Sequence, residues 1–396
     1  MQTTDELQRL QSQPLDRKII MTKQRIMEWV SVYGEGGVYV SFSGGKDSTV
    51  LLDIVRNVCG YDKIPAVFVD VPTQFPELKE FAERFDNLVI VKPKMSFYSV
   101  CEKYGFPLIS KEVCENVQGA KKYLKSIIGN MSESDTRSYA EIARDMIEDV
   151  DKSVNLASVL NERLKNKIGR NNMRLAIVLG WYTNNKDNMV SVDVRDEDKS
   201  IFSQEKYKFF LTAPFDISNK CCTVMKKEPA HSYSKRTGRM AMTAQMATES
   251  RLRTQWWIKN GCNGFNLVNP VSNPMAFWTE NDVLEYIYKT GIPICSVYGD
   301  VVEDFGDGVE GQLSIADFGC CEKKCKYKTT GCKRTGCCLC GYGAHLKAES
   351  DRFLMLKKTH PGMYGLIDLM KNNGVTYREA MEWVNENMEG QGRIYL

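Results

Sequence analysis

Residues 43–48 read Ser43-Gly44-Gly45-Lys46-Asp47-Ser48. They follow the apolar run Gly37-Val38-Tyr39-Val40-Ser41-Phe42 and lead into Thr49-Val50-Leu51-Leu52. A strand, a glycine turn and a helix start, in that order, make an anion site. The glycines let backbone N–H groups approach a phosphate, and the helix N-terminus adds partial positive charge. Lys46 can reach a phosphate as a point charge, and the hydroxyls of Ser43 and Ser48 can donate to one. The spacing is not that of the G-x-x-x-x-G-K-[ST] loop. A plain turn joining a strand to a surface helix is the competing reading.

A second group of residues is rich in thiols. Cys221-Cys222 stands far upstream of Gly331-Cys332-Lys333-Arg334-Thr335-Gly336-Cys337-Cys338-Leu339-Cys340-Gly341-Tyr342-Gly343. Cys337 and Cys340 have C-x-x-C spacing, with Cys332 five residues earlier. Three thiolates on one loop, with one from the distant pair, would complete a [4Fe–4S] cluster or an all-cysteine zinc site. Spacing does not choose between the two metals. Lys226, Lys227, Lys333 and Arg334 would favour thiolates. The alternative is a set of small, buried cysteines. Cys320, Cys321 and Cys325 form a nearby group, read as unligated rather than as a second metal loop.

Two more sites carry polar groups. Asp70 ends the run Ala66-Val67-Phe68-Val69. A carboxylate there could meet a ribose hydroxyl or a magnesium ion, or simply cap the following turn. Its place beside the glycine loop favours the first use. Glu249, Arg251 and Arg253 lie in Met246-Ala247-Thr248-Glu249-Ser250-Arg251-Leu252-Arg253. They could hold phosphates, although spacing alone fits an exposed helix face with i,i+4 charge pairing.

The elements that must position these groups are legible in outline. Residues 14–35 have apolar positions at Ile19, Ile20, Ile26, Met27 and Val30, a helical pattern. After the first strand and its helix come a strand at 66–70, a helix at 76–84 and a strand at 87–91. Repeated strand–helix units predict an α/β doubly wound parallel sheet. Its ligands sit beyond the C-terminal strand ends, on the rim that carries Ser43 to Ser48 and Asp70. Residues 111–170 read as a helical insertion, 183–209 as a mobile loop or lid, and 281–288 as a helix. Residues 299–312 read as an acidic, glycine-rich loop. Residues 352–387 read as helical with a break at His360-Pro361-Gly362. The expected division is a nucleotide-binding domain over 1–295 and a cysteine-rich, helical C-terminal region over 296–396.

The chain has 396 residues, 14 cysteines and a formal charge of +3, a balance that neither requires nor excludes a polyanionic partner. No apolar run approaches the roughly 20 residues that span a bilayer. The start, Met1-Gln2-Thr3-Thr4-Asp5-Glu6, lacks the pattern of a secretory signal. A cytoplasmic enzyme is expected, without a membrane partner. In a reducing compartment, dense cysteines suggest metal rather than disulfides.

The glycine loop resembles the PP-loop of the ATP pyrophosphatase superfamily. Over nearly its whole length the chain resembles the phosphoadenosine phosphosulfate (PAPS) reductase family within it. The further matches are the 68–77 segment, Ile109-Ser110-Lys111-Glu112, the Cys221-Cys222 segment and Glu249-Ser250-Arg251-Leu252-Arg253. Phe277-Trp278-Thr279-Glu280-Asn281-Asp282-Val283 and Cys337-x-x-Cys340-Gly341-Tyr342-Gly343 complete the set. The resemblance implies an adenosine-nucleotide fold and, from the CysCys…CxxC pattern, an iron–sulfur cluster. It turns Glu249, Arg253 and Lys111 into site residues. The chain departs from the family in having Met246 where many members carry arginine. It also keeps Lys46 and Asp47, which the sulfonucleotide reductases usually lack. Its tail, 390–396, has no cysteine or histidine, whereas those reductases carry a catalytic cysteine there.

These departures point to the ATP-splitting, sulfur-transferring branch, which includes tRNA thiolation and DNA phosphorothioation enzymes. The expected ligands are ATP and magnesium, bound through Ser43, Gly44, Gly45, Lys46, Asp47, Ser48, Asp70, Lys111, Glu249 and Arg253. Lys46 and Asp47 are the expected catalytic residues. A [4Fe–4S] cluster, or zinc, is expected on four of Cys221, Cys222, Cys332, Cys337 and Cys340. The expected acceptor is a nucleic acid, with the basic run Lys323 to Arg334 available for phosphates. A sulfur donor protein such as a cysteine desulfurase would be a partner. Two rivals stand beside this: a sulfonucleotide reductase that makes sulfite, and a non-catalytic nucleotide-binding cluster subunit.

Overall fold

The computed structural model describes residues 2–131, 137–185, 189–304, 326–347, 351–388, 390 and 392–396. Cys320, Cys321, Cys325 and most of the acidic segment 299–312 lie outside the described residues. The chain separates into two compact units. The first is Met1–Lys94 with Lys226–Cys337, and the second is Met95–Met225 with Cys338–Leu396. This division cuts the chain at other points than the expected 1–295 and 296–396.

Seven strands come first in the chain: β1 (Val38–Phe42), β2 (Ala66–Val69), β3 (Leu88–Val91), β4 (Leu108–Ile109), β5 (Met240–Met242), β6 (Asn263–Gly264) and β7 (Val271–Ser272). Six of them build the sheet of the first unit, in the order β3-β2-β1-β5-β7-β6. The pairs β3–β2, β2–β1, β1–β5 and β5–β7 are parallel, and β6 is antiparallel to β7. Side chains on a strand alternate between faces. Val38, Val40, Phe42 and Phe68 therefore share one face and join Trp29, Phe81, Trp257 and Trp278 in a large apolar core. Tyr39 and Val67 point the other way and pack with Tyr233 of the Glu228–Thr237 helix. Both faces are covered, as an α/β doubly wound sheet requires.

The expected first helix is present as Leu15–Tyr33, closed at Gly34 in a positive-φ conformation. Ile26, Trp29 and Val30 are buried on it, whereas Ile20 and Met27 are exposed. The buried stripe instead recruits Lys18, fully enclosed and ion-paired with Asp282 at 2.5 Å. A lysine stem is apolar, so it can complete a helix stripe when its ammonium finds a carboxylate. Asp282 lies in the Glu280–Thr290 helix, where it also accepts from the Thr279 N–H and hydroxyl in a capping box.

The second unit is mainly helical. Helices Lys111–Met131, Tyr139–Glu148, Val150–Lys165 and Asn171–Leu179 occupy the expected insertion and continue past it. Strand β4 pairs in parallel with Gly341–Tyr342. Phe106, Phe210, Phe215, Tyr377 and Trp383 form an aromatic core, with Phe106 stacked on Tyr377 at 4.7 Å. The expected lid over 183–209 is tied down in its described part. Ser200 donates its N–H to Tyr182 O, Gln204 to Ile177 O, and Lys199 pairs with Glu205 at 2.6 Å. Tyr207 is buried there. Beyond the break at His360-Pro361, a two-stranded hairpin of Lys371–Asn372 and Val375–Thr376 precedes the Tyr377–Asn387 helix.

Candidate functional site

Strand β1 ends at Phe42, and the helix that follows begins at Lys46. Only three residues join them, so the chain must turn sharply. Gly44 takes φ 71°, and a Cβ there would lie 2.8 Å from the Leu78 carbonyl oxygen. The loop is stitched by its serines. Ser48 Oγ donates to Gly45 O at 2.9 Å and accepts from the Ser43 N–H at 3.2 Å. Ser43 Oγ accepts from the Gly45 N–H at 3.3 Å. Both hydroxyls are therefore engaged with the loop itself.

This loop forms one side of a cavity of about 450 Å³, lined entirely by the first unit. Ser43, Gly45, Lys46 and Asp47 face it together with Glu249 and Arg253. Thr279, Glu280, Tyr298, Arg334 and Thr335 complete the walls. Motifs separated by two hundred residues thus meet on one rim. The parallel order puts the C-terminal ends of β1 and β5 side by side, and the residues after β5 carry Glu249 and Arg253 to the loop.

Charge in the cavity is nearly balanced. Lys46 is buried, its Nζ 3.1 Å from Glu280 and 3.7 Å from Asp47, and it donates to the Lys333 carbonyl at 3.2 Å. Burial works against its charge, but Asp47, Tyr298 and Glu280 outweigh it and hold the ammonium above its ordinary range. Burial pushes the Asp47 carboxyl up, with Glu280 adding to the effect and Lys46 opposing it. Asp47 Oδ1 is buried without a hydrogen-bond partner. Arg253 pairs with Glu249, whose carboxylate also accepts from the Met246 N–H at 2.9 Å. Tyr298 is fully buried beneath Lys46; its hydroxyl accepts the Lys46 N–H at 3.2 Å and lies 2.5 Å from Thr335 Oγ1. Cations, a helix N-terminus and turn amides on one wall suit a phosphorylated ligand.

Asp70 and Lys111, two expected site residues, are not among the residues that line the cavity. Asp70 pairs with Lys79 at 3.1 Å and is not among the cavity residues. Lys111 is exposed at the start of its helix in the second unit. Several cavity residues were not singled out as site residues, among them Glu280, Arg334 and Tyr298. Glu280 lay within a recognised motif but carried no role. Arg334 was read as part of a basic run and as a cation favouring the nearby thiolates, and Tyr298 gave no signal at all.

The five candidate cysteine ligands divide between the units. Cys332 and Cys337 belong to the first, and Cys221, Cys222 and Cys340 to the second. In the second unit, Tyr342 donates to Ser218 O at 3.1 Å. Its hydroxyl is held far above its ordinary range by burial and by the nearness of Cys114, Cys221, Cys222 and Cys340. Burial pushes the Cys114 thiol up to about 12. Next to these thiols Ile109 has φ 64°, a strained setting for a β-branched side chain. Cys114, Cys221, Cys222 and Cys340 of the second unit all act on the Tyr342 hydroxyl, and thiolates are donors of the kind iron or zinc takes. Even so, among the described residues no three His, Cys, Asp or Glu side chains are arranged to hold a metal ion. Among the described residues, no helix is long and apolar enough to cross a membrane.

Residues 37–115 and 182–341 match the family described as the phosphoadenosine phosphosulfate reductase domain. An uncharacterized protein of Methanocaldococcus jannaschii is 31% identical over 118 residues. That match covers 28% of this chain and 28% of the relative. Among solved structures, the phosphate complex of phosphoadenylyl-sulfate (PAPS) reductase from Candida auris aligns over 75% of this chain and 91% of its own. The identity there is 13% and the TM-score 0.32, a likeness too loose to carry a reaction across.

Proposed function

The chain belongs to the phosphoadenosine phosphosulfate reductase domain family, and from that premise we propose that it splits ATP between the α and β phosphates and transfers the adenylyl group to an acceptor. The observation that carries this reading is the intact Ser43–Ser48 loop, with its buried Lys46, lining one cavity together with two arginines. Turn amides, the helix N-terminus and Lys46 bind the β and γ phosphates and stabilise the charge that develops as pyrophosphate leaves. Asp47, whose Oδ1 is buried without a hydrogen-bond partner, would hold magnesium together with the phosphates. The metal would neutralise phosphate charge. Lys46→Ala should slow release of AMP and pyrophosphate from ATP by about 10² or more. Release of ADP and phosphate by the wild type would refute the proposal, and sulfite release from a sulfonucleotide would favour a reductase.

The same proposal extends to sulfur. Cys221, Cys222 and Cys340, with Cys332 and Cys337, are donors of the right chemistry for an iron–sulfur cluster, which would supply sulfur chemistry when bound. The acceptor is a nucleic acid, the donor a persulfide-carrying protein such as a cysteine desulfurase, and the setting the cytoplasm. Anaerobically prepared protein should contain about four iron and four sulfide per chain. About one zinc and no sulfide would mean a structural thiolate site instead.

A further inference from the structure

Arg334 lies between two cysteines, in a segment that sequence reading assigned to metal. The structure gives that segment a second use: Arg334, Thr335 and Gly336 are a wall of the cavity. The wall is braced from several sides. The Gly331 N–H donates to Tyr298 O and the Cys332 N–H to Val297 O, each at 2.8 Å. A Cβ on Gly331 would come within 2.5 Å of Val297 O, so the two strands of chain touch. Lys46 Nζ donates to Lys333 O at 3.2 Å, and Thr335 Oγ1 meets Tyr298 Oη at 2.5 Å. Gly45 packs against the same point, a Cβ there lying 3.3 Å from Thr335 Oγ1. The anion-binding loop and the Lys333–Gly336 wall are therefore fixed to each other through Tyr298 and Lys46.

Of the three cations in the cavity, two are already committed. Lys46 is paired with Glu280 and Asp47, and Arg253 with Glu249. Arg334 has no carboxylate in an ion pair with it among the described residues. Its charge reaches across to Asp47 and to Arg253, whose guanidinium it helps to lower after burial. Two guanidiniums facing one cavity repel each other until an anion sits between them, and their planar donors match a phosphoryl group.

Resting on the reading that this cavity takes ATP, we propose that Arg334, with Arg253, binds the α-phosphoryl group, the phosphate that stays with adenosine. The loop amides and Lys46 serve the phosphates that leave, and the adjoining wall that carries Arg334 serves the one that remains. Arg334 thus determines whether the site distinguishes a nucleotide from free pyrophosphate.

The test is titration calorimetry of the full chain with AMP, pyrophosphate and adenosine, for the wild type, Arg334→Gln, Arg334→Lys and Lys46→Ala. Arg334 is exposed, so neither substitution should disturb folding. Arg334→Gln should weaken AMP by about tenfold, the loss of one charge-assisted, two-pronged contact, with pyrophosphate changed less than about twofold. Arg334→Lys should recover part of the AMP affinity and not all of it. Lys46→Ala should show the reverse pattern, losing mainly pyrophosphate. Unchanged AMP affinity in Arg334→Gln, or an equal loss for AMP and pyrophosphate, would overturn the assignment. A wild type that binds no adenine nucleotide would instead overturn the ATP reading on which it rests.

Discussion

Among single residues, Glu280 has the most to say about the cavity. Its carboxylate sits 3.1 Å from Lys46 Nζ, where a phosphate oxygen would go, and it is half exposed. It helps keep the lysine charged and also competes with any anion. The competing contact is solvent-screened, so it is worth no more than about 1 kcal/mol. Glu280→Gln should therefore tighten pyrophosphate by a few-fold when no divalent cation is added. Weaker binding by this variant would mean that the carboxylate contacts the ligand. Asp47, Tyr298 and Glu280 outweigh burial and hold the Lys46 ammonium above its ordinary range, so loss of its proton should not weaken anion binding at neutral pH. Gly44, Lys46 and Asp47 could be picked from the sequence because a glycine turn between strand and helix leaves little choice of chemistry. Tyr298 could not, because a tyrosine supporting a loop looks like any core aromatic.

At the scale of elements, the Glu280–Thr290 helix shows how the cavity wall is aimed. Its N-terminus presents Thr279 and Glu280, and three contacts hold it. Asp282 caps Thr279 and binds the buried Lys18 at 2.5 Å, while the buried Trp278 donates to Thr22 Oγ1 at 2.8 Å. Removing one member of a buried pair leaves the other charge without compensation, at a cost of about 3–5 kcal/mol. Lys18→Met should lower the unfolding free energy measured by urea denaturation by that amount. Lys18→Met with Asp282→Leu should regain most of the pair's cost but forfeit the cap, about 1 kcal/mol. A single variant as stable as the wild type would show that the pair bears no weight. The helix periodicity of residues 14–35 was readable, but not the face, since Lys18 displaced Ile20 from the core. A long-range ion pair leaves no periodic trace. The tied-down stretch at 183–209 was misread for a related reason: its bonds go to distant backbone atoms, and local composition reports only its charge.

For the molecule as a whole, the order of the chain and the order of packing differ. The sheet that carries the anion loop takes β1–β3 from before residue 95 and β5–β7 from after residue 226, and the helical unit is built from 95–225 and 338–396. The expected cut at 295 respected composition, in particular the onset of cysteine-dense sequence, but it runs through both units. A fragment ending at 295 would lose Tyr298, Arg334 and Thr335 from the cavity. It would also strip Tyr377 from Phe106 and the partner strand from β4, exposing aromatic core. That fragment should bind pyrophosphate poorly and unfold without a sharp transition, with exposed apolar surface detectable by dye binding. The contrasting test joins Met1–Lys94 to Lys226–Cys337 through a flexible glycine–serine linker of roughly 15 residues. This chain keeps all six strands, Lys46, Arg253, Glu280, Tyr298 and Arg334, so its apolar core and its cavity are both complete. It should fold cooperatively and hold pyrophosphate within about threefold of the full chain, since every cavity residue is retained. Failure of the joined unit to bind, with the full chain binding normally, would mean that residues outside it complete the anion site. Success would mean that the sequence motifs of the second unit, Cys221, Cys222, Cys340 and the strained Ile109 among them, take no part in anion binding.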